Sequence, residues 1–202
     1  MTEDEARDWV RARVSAEEFD ALSQFVAWVV EENDRQNLIS PASVPAIWVR
    51  HVVDSLQLRE LAGGPSGSWL DIGTGGGFPG MVLAITGCAP IMLVEPRKKR
   101  AAFLDGCADR LGLSGVTVAA CKVEQVDWIA DVITARAVAS VEKLLLAAAH
   151  CATTRTRWLL PRGTVDTAAL PSLSARHQLV FHVEQSLTQS DSAILVLEGR
   201  GR

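Results

Sequence analysis

The sequence predicts an α/β fold in which a mostly parallel, seven-stranded, Rossmann-like sheet follows an N-terminal helical extension. From Ser68 onward, short apolar runs alternate with helical segments, which is the order of a doubly wound parallel sheet. Before that point the chain reads as helices, and near its end two strands follow each other without an intervening helix. These observations place the helical extension at residues 1–64 and one compact, sheet-containing unit at residues 65–202.

The helical extension is predicted from two start signals and an apolar face. Thr2 with Glu5, and Ser15 with Glu18, have the spacing of capping boxes. After the second box, residues at helical spacing make one face apolar, namely Phe19, Leu22, Val26 and Val29. A third helix is predicted over residues 43–62. Its start is indicated by Ser43 and Pro45, and its end by the two glycines that follow Ala62.

The sheet is predicted from seven short strands. They are Trp69–Ile72, Ile91–Glu95, Val116–Ala120, Val132–Thr134, Trp158–Leu160, Gln178–Glu184 and Ala193–Leu197. Helices are predicted between them at Pro79–Thr86, Arg97–Leu111, Val141–Ala149 and Asp166–Arg176. Because only a polar turn separates the last two strands, they are expected to form an antiparallel pair at one edge.

The composition argues against several classes of protein. Hydrophobic residues make up 48% and charged residues 22% of the 202 residues, the balance of a folded globular chain. No apolar run approaches the roughly 20 residues of a bilayer-spanning helix, so no membrane association is expected. The acidic start, M-T-E-D-E, is unlike a signal peptide, so a cytoplasmic location is expected. The cysteines and histidines lack metal-ligand spacing, so no metal is expected.

A glycine-rich loop carries the strongest functional signal. Residues 71–80 read D-I-G-T-G-G-G-F-P-G, after a predicted strand and before a predicted helix. Gly75, Gly77 and Gly80 satisfy G-x-G-x-x-G, which leaves a dinucleotide and an NAD-dependent oxidoreductase open. However, the Asp71 carboxylate would repel a pyrophosphate and suits the ammonium group of S-adenosylmethionine. Glu95, at the end of the second strand, is placed for ribose hydroxyls. We therefore predict a methyl donor site.

The nature of the methyl acceptor is indicated by what the motifs lack. The stretch T-A-R-A-V-A (134–139) replaces the loop that usually holds an exocyclic amine, and no cysteine has the context of a pyrimidine C5 nucleophile. A ring nitrogen such as guanine N7 has a free lone pair and no proton to remove, so orientation can supply most of the catalysis. The cations Arg97, Lys98, Lys99 and Arg100 are either a solvated first turn or a contact to a nucleic-acid phosphate.

Seven segments together resemble the RsmG/GidB family of bacterial 16S rRNA guanine-N7 methyltransferases. They are Q-N-L (36–38), R-H-V-V-D-S-L (50–56), the glycine loop (71–80), K-K-R-A-A-F-L (98–104), K-V-E (122–124), T-A-R-A (134–137) and L-P-R-G (160–163). The resemblance implies a class I methyltransferase fold that acts with S-adenosylmethionine on a guanine of the decoding-region loop. It also implies 16S rRNA or the 30S subunit as the partner.

The family's contact residues carry over onto matching positions. The resemblance assigns cofactor contacts to Gly73, Phe78, Val123, Glu124 and Arg136, and it matches Asp71 and Glu95 to the methionine-side and ribose-side acids. With the glycines at 75 and 77, these form the predicted cofactor site. Arg136 could neutralise the donor's carboxylate or hold an rRNA phosphate, and the sequence does not separate the two roles.

The helix before the loop supplies further candidates. His51 and Asp54 share a helical face, and taken alone they read as an interior histidine paired with a carboxylate. The resemblance places this face beside the active site, so His51, Asp54 and Arg136 are the catalytic candidates. Arg50, and Arg162 where many relatives have lysine, join the four cations of residues 97–100 as RNA-binding candidates.

Two alternative functions stay open on the sequence. One is a methyltransferase that acts on tRNA or a small molecule. The other is a non-catalytic rRNA-binding assembly factor with a vestigial loop, although an intact D-x-G-x-G-x-G with Glu95 argues against decay. Because no heptad pattern occurs, a monomer is expected.

Overall fold

A seven-stranded mixed sheet forms the centre of the protein. A computed structural model describes residues 1–136, 139–163, 165 and 170–199. The strands are β1 (Trp69–Ile72), β2 (Ile91–Val94), β3 (Val116–Ala119), β4 (Ala130–Ala135), β5 (Ala152–Arg162), β6 (Leu179–Gln185) and β7 (Ala193–Gly199). Their order across the sheet is β3-β2-β1-β4-β5-β7-β6. Strands β1 to β5 are parallel to one another, whereas β7 runs antiparallel to both β5 and β6. The predicted parallel sheet with an antiparallel edge pair is therefore confirmed.

Helices cover both faces of the sheet. They are α1 (Glu3–Arg11), α2 (Ala16–Gln36), α3 (Asp54–Leu61), α4 (Gly80–Ile85), α5 (Lys98–Arg110), α6 (Val141–Ala147) and α7 (Leu170–His177). Both predicted capping boxes are present, at the starts of α1 and α2. The first four residues of the predicted helix Asp166–Arg176 lie outside the described residues, and α7 accounts for the rest. In the described part of the chain, none of the helices is long and apolar enough to cross a membrane.

The helical extension and α4 share one apolar core. Phe25 of α2 packs against Phe78 of the glycine loop, with ring centroids 5.3 Å apart. This core contains the fully buried Trp48 and Trp69 on one side of the sheet, and a second cluster containing Trp158 lies on the other. The position of the glycine loop is therefore fixed from two sides, by the sheet below it and by α2 beside it.

The single helix predicted over residues 43–62 is wrong in its first half. Pro41–Ala46 form a 3-10 turn, Trp48–Val53 form a π-helical segment, and α3 begins only at Asp54. Pro45 lies inside the 3-10 turn, where its missing N–H precludes a regular α-helical ladder. A π turn widens the helix and shifts side chains around its axis, and such turns are frequent at functional sites.

Strand β5 is also longer than the predicted Trp158–Leu160. It extends over Ala152–Arg162 because it is hydrogen-bonded between β4 and β7. Residues 153–157 of this strand are all polar, and Thr153, Thr154 and Arg155 are exposed, so no apolar run marked it in the sequence. Strand length here is set by the neighbouring strands.

A side chain of the N-terminal helix caps the first N–H groups of the π segment. Both oxygens of Glu3 accept backbone hydrogen bonds from this segment, from Trp48 N–H at 3.1 Å and from Val49 N–H at 2.9 Å. A carboxylate is stabilising at the positive end of a helix. We expect Glu3→Ala to lower the free energy of unfolding by about 1–2 kcal/mol, as loss of a helix cap does. Urea unfolding measures this, with the neighbouring Asp4→Ala as the matched control; equal effects of the two variants would contradict the capping role.

Candidate active site

The glycine loop connects β1 to α4 and crosses the end of β2. Gly73 N–H and Thr74 N–H both donate to the carbonyl oxygen of Val94, at 2.8 and 3.1 Å. Gly73, Gly75 and Gly77 all have positive φ, at 71°, 62° and 98°. At Gly77 a Cβ would also lie 2.4 Å from Cζ of Phe25. Glycine is therefore required both by the backbone conformation and by the close approach of α2.

Asp71 is buried beneath this loop and bonded to it. One oxygen accepts a hydrogen bond from the hydroxyl of Thr134 at 2.7 Å, and the other from Gly80 N–H at 3.0 Å. Burial raises the pKa of Asp71 to about 6, although both hydrogen bonds favour the charged form. The carboxylate thus holds the first turn of α4 and the end of β4 in place, and its contact with a donor ammonium stays a prediction.

Glu95 follows β2 and shapes the other side of the loop. Its Oε2 accepts from Gly75 N–H at 2.9 Å, and its Oε1 accepts from Arg97 N–H at 2.8 Å. The side chain is buried, and each carboxylate oxygen still has an acceptor position free. Glu95 therefore lies directly after β2, as predicted, with its carboxylate bonded to the glycine loop. Its contact with ribose hydroxyls stays a prediction.

These residues fit S-adenosylmethionine. A Cβ on Gly75 would meet only Gly73 O at 3.7 Å and Arg100 Nη1 at 3.9 Å, so the space over this backbone is open. The open cradle is bordered by the Glu95 carboxylate for ribose hydroxyls and by loop backbone. It contains no phosphate-binding lysine of the P-loop type, which agrees with a ligand that lacks phosphate.

A second wall of the site comes from the π segment and the residue after β4. The His51 ring stacks on Phe78 of the loop, with centroids 4.8 Å apart and planes at 25°. Arg136 Nη1 lies 2.8 Å from His51 Nδ1 and 3.3 Å from the carbonyl oxygen of Arg50. Because arginine only donates, His51 Nδ1 accepts and the ring is neutral, with its proton on Nε2.

The predicted pairing of His51 with Asp54 is wrong. Asp54 Oδ1 instead accepts from the hydroxyl of Thr188 at 2.5 Å and from that of Ser186 at 3.4 Å. The π turn separates the two side chains that an α-helix would have placed on one face. His51 Nε2 is buried and has no hydrogen-bond partner among the described residues.

A cavity of about 600 Å³ lies next to this wall. It is bounded by the 3-10 turn, the π segment, the end of β5 and the turn between β6 and β7. Its charged lining residues include Arg50, Asp54, Arg136 and Arg162. Arg162 Nε and Nη2 are buried without a hydrogen-bond partner in the described part of the chain, and burial lowers the pKa of this guanidinium. Asp191 also lines the cavity, so three arginines and two carboxylates face it, and Arg162 contributes donors that are free to bind a ligand.

The remaining candidates lie outside this cavity. Arg97, Lys98 and Lys99 are exposed at the start of α5, and Arg100 donates to the carbonyl oxygen of Asn37 at 2.7 Å. Asn37 ends α2 in a left-handed conformation. Val123 is buried and Glu124 is exposed in a 3-10 turn after β3.

Several residues at the site carried no individual signal in the sequence. Thr134 binds Asp71, Gln57 and Thr188 hold the β6–β7 turn, and Ser186 reaches Asp54. Thr134 belongs to the T-A-R-A segment, which could have suggested a role. Ser186 and Thr188 lie in a polar turn that looks like any surface loop.

The neutral state of His51 has a measurable consequence. Burial, together with the charges of Arg136 and Arg50, lowers the pKa of His51 from 6.5 to about 3. Between pH 6.5 and pH 3 the unfolded chain binds a proton at His51 that the folded protein does not. The free energy of unfolding therefore falls as the pH is lowered through this range, by up to about 1.4 kcal/mol per pH unit. We expect His51→Asn, which keeps an acceptor for Arg136, to flatten this part of the stability–pH curve in urea unfolding. If the His51→Asn variant shows the same slope of stability against pH as the wild type, the lowered pKa of His51 is contradicted.

Solved structures of other proteins show which class of fold this chain has. The chain superimposes on magnesium protoporphyrin IX methyltransferase from Synechocystis PCC 6803, solved with bound S-adenosylmethionine, with a TM-score of 0.63, 16% identity, and 96% and 97% of the two chains covered. It also superimposes on the tRNA methyltransferase TrmK of B. subtilis, with a TM-score of 0.60 and 15% identity over 72% of this chain and 65% of that one. The fold is that of the class I S-adenosylmethionine-dependent methyltransferases.

Within this class, the sequence identifies the family. Residues 18–194 match the GidB family, rRNA small subunit methyltransferase G. Ribosomal RNA small subunit methyltransferase G of Erythrobacter litoralis is 42% identical over 203 residues, covering 100% of this chain and 97% of that protein. The protein of the same name from Novosphingobium aromaticivorans is 42% identical over 97% of this chain and 88% of its own. The chain belongs to the GidB family, and the resemblance seen in its motifs is confirmed.

Proposed function

We propose that this enzyme transfers the methyl group of S-adenosylmethionine to N7 of a guanine in 16S rRNA. The observation that carries the proposal is the 600 Å³ cavity beside the glycine loop, lined by Arg50, Arg136 and Arg162. Its volume is in the range of ligand pockets, and arginine is suited to phosphate oxygens. Relatives named as rRNA small subunit methyltransferases support rRNA as the acceptor.

The cofactor site is proposed to consist of the glycine loop and its neighbours. Gly73, Gly75, Gly77 and Phe78 would form its floor, Glu95 would accept from ribose hydroxyls, and Val123 with Glu124 would border the adenine. Asp71 would act on the methionine end through its charge and through the loop that it anchors. Arg136, half-buried between Asp71 and Asp54, would bind the donor's carboxylate.

Methyl transfer to guanine N7 requires mainly that the two reactants be held in the correct orientation. The bound cofactor supplies an electrophilic methyl group on a sulfonium. Guanine N7 carries a lone pair and loses no proton, so no general base is needed. In support of this, His51 Nδ1 accepts a hydrogen bond from Arg136 and is not free to take a proton. The protein's part is to hold the base unstacked and in line with the methyl group.

The RNA is proposed to approach across the cavity mouth and α5. Arg50 and Arg162 would contact phosphates near the target base, and the exposed cations at residues 97–99, with Arg100, would contact phosphates farther away. Such contacts position the RNA without reading its sequence. In support of this, α5 has no acidic residue in its first turn, although a helix start ordinarily favours one.

We further propose a cytoplasmic monomer in which residues 1–64 and 65–202 act as one unit. Packing of Phe25 on Phe78 supports the single unit, since the extension contacts the cofactor loop itself. The 30S subunit, assembled in the cytoplasm, would be the partner. In the described part of the chain, no group of three or more His, Cys, Asp or Glu side chains could hold a metal, and no metal enters the proposal.

The test offers labelled S-adenosylmethionine with three acceptors: 30S subunits, deproteinised 16S rRNA and bulk tRNA. We expect label in 16S rRNA at a guanine that becomes sensitive to borohydride and alkaline cleavage, the property of N7-methylguanine. The better of the two rRNA forms identifies the physiological substrate. Label in tRNA alone, or none despite cofactor binding, would overturn the acceptor.

A further inference from the structure

We propose that Asp54 recognises the acceptor base, by accepting hydrogen bonds from N1–H and the 2-amino group of the guanine. This inference rests on the proposed function, since it assigns a specificity-determining residue to that same reaction. It would make the cavity beside the glycine loop the pocket of the target base, with Asp54 on its Watson–Crick side.

The carboxylate of Asp54 is fixed in direction and still has free acceptors. It lines the cavity at the first residue of α3. Thr188 donates to its Oδ1 at 2.5 Å, with Ser186 at 3.4 Å from the same atom. Among the described residues, none donates to Oδ2. Because a carboxylate accepts about four hydrogen bonds, capacity remains for two donors side by side.

The turn that orients this carboxylate is itself anchored. Gln57, one turn further along α3, donates to the carbonyl oxygen of Gln185 at 2.8 Å and accepts from Leu187 N–H at 3.1 Å. The β6–β7 turn is thereby docked on α3 at both ends of a three-residue stretch. Recognition groups held by such supporting contacts lose little entropy when a ligand binds.

The charge of Asp54 is not neutralised by an ion pair. Within the described residues, no lysine or arginine nitrogen lies within 4.0 Å of it. Burial raises the pKa of Asp54, opposed by the Thr188 hydrogen bond and the charge of Arg136. A half-buried carboxylate that faces a cavity gains most from a ligand that brings hydrogen-bond donors.

Guanine is the base that matches an acceptor-only group. It presents two adjacent donors, N1–H and the 2-amino group, whereas adenine presents an unprotonated N1 and uracil a single N–H between two carbonyls. As the S–CH₃ bond breaks and the N7–CH₃ bond forms, positive charge passes from sulfur to the purine and no proton leaves. N1–H then becomes a stronger donor, so the contact with Asp54 strengthens in the transition state.

The test measures single-turnover methyl transfer to 30S subunits that carry guanosine or inosine at the target position. Inosine lacks the 2-amino group, so it loses one hydrogen bond to a charged acceptor. We expect the wild type to methylate inosine at least about tenfold more slowly. Asp54→Asn should slow the guanosine substrate at least about tenfold and bring the guanosine-to-inosine ratio close to one. Glu60→Gln, an exposed carboxylate on the same helix bonded to Arg13, should behave as the wild type.

Cofactor binding, measured by calorimetry, separates recognition from folding, because an asparagine can still accept from Thr188. Unchanged affinity for S-adenosylmethionine with a lost guanosine preference supports the assignment. An Asp54→Asn enzyme that keeps the wild-type ratio, whether its rate is normal or reduced, overturns it. A wild type that labels no small-subunit guanine overturns the proposed function itself, and with it this inference.

Discussion

Asp71→Ala is expected to abolish measurable binding of S-adenosylmethionine and to destabilise the fold. The substitution leaves the buried Thr134 hydroxyl and Gly80 N–H without their acceptor. Each unsatisfied buried donor costs about 1–3 kcal/mol, so a loss of about 2–6 kcal/mol in the free energy of unfolding follows. The loop would also lose its anchor to α4 and β4. Calorimetric titration with the cofactor and urea unfolding measure the two effects.

Asp71→Asn separates the two roles of this side chain. The amide keeps the shape and one acceptor but removes the charge, and burial makes that charge costly, as the raised pKa shows. We expect Asp71→Asn to be closer to the wild type in stability and intermediate in cofactor affinity. If Asp71→Ala binds the cofactor with unchanged affinity, neither the charge nor the anchoring of the loop matters.

Gly80→Ala is expected to lower both stability and cofactor affinity, because Gly80 is the hydrogen-bond partner of Asp71. A Cβ at this position would lie 2.5 Å from Asp71 Oδ2 and 2.5 Å from Cδ2 of the fully buried Leu93. Neither neighbour has room to withdraw, because Asp71 is bonded to Thr134 and Leu93 is part of the core. Overpacking of this kind costs about 1–3 kcal/mol, and displacement of Asp71 should weaken cofactor binding at least about tenfold.

Gly106→Ala provides the matched control for that experiment. Gly106 lies inside α5, and a Cβ there would meet no atom within 4 Å. Replacing a helical glycine by alanine should raise stability by about 0.5–1 kcal/mol and leave cofactor affinity unchanged. Thermal unfolding and cofactor titration of both variants check the pair. A Gly80→Ala protein as stable as Gly106→Ala would show that the loop tolerates a larger residue at its end.

Both substitutions disturb the same hydrogen-bonded group of residues beneath the glycine loop. Asp71, Gly80 and Thr134 come from β1, α4 and β4, and the hydrogen bonds among them connect the cofactor loop to the strand that leads to Arg136. A disturbance at any of the three should therefore reach both the donor site and the wall formed by Arg136 and His51. Hydrogen bonds and ring contacts thus link the glycine loop to residues that line the cavity.

The sequence by itself determined the features that rest on local patterns. The order of strands and helices followed from periodicity, because an amphipathic helix and a buried strand differ in the spacing of their apolar residues. The glycine loop followed from its residue types, because the positive φ angles at 73, 75 and 77 favour glycine strongly. Both capping boxes followed for the same reason, since all their contacts lie within three residues.

Only the tertiary structure decided the contacts that join distant parts of the chain. Thr134 meets Asp71 across 63 residues, Arg136 meets His51 across 85, and Thr188 meets Asp54 across 134. The π turn that separates His51 from Asp54 begins where Glu3, some 45 residues earlier, accepts from its first N–H groups. Hydrogen bonds of this kind leave no periodic trace in the sequence, because a side chain meets its partner only after folding has brought the two distant segments together.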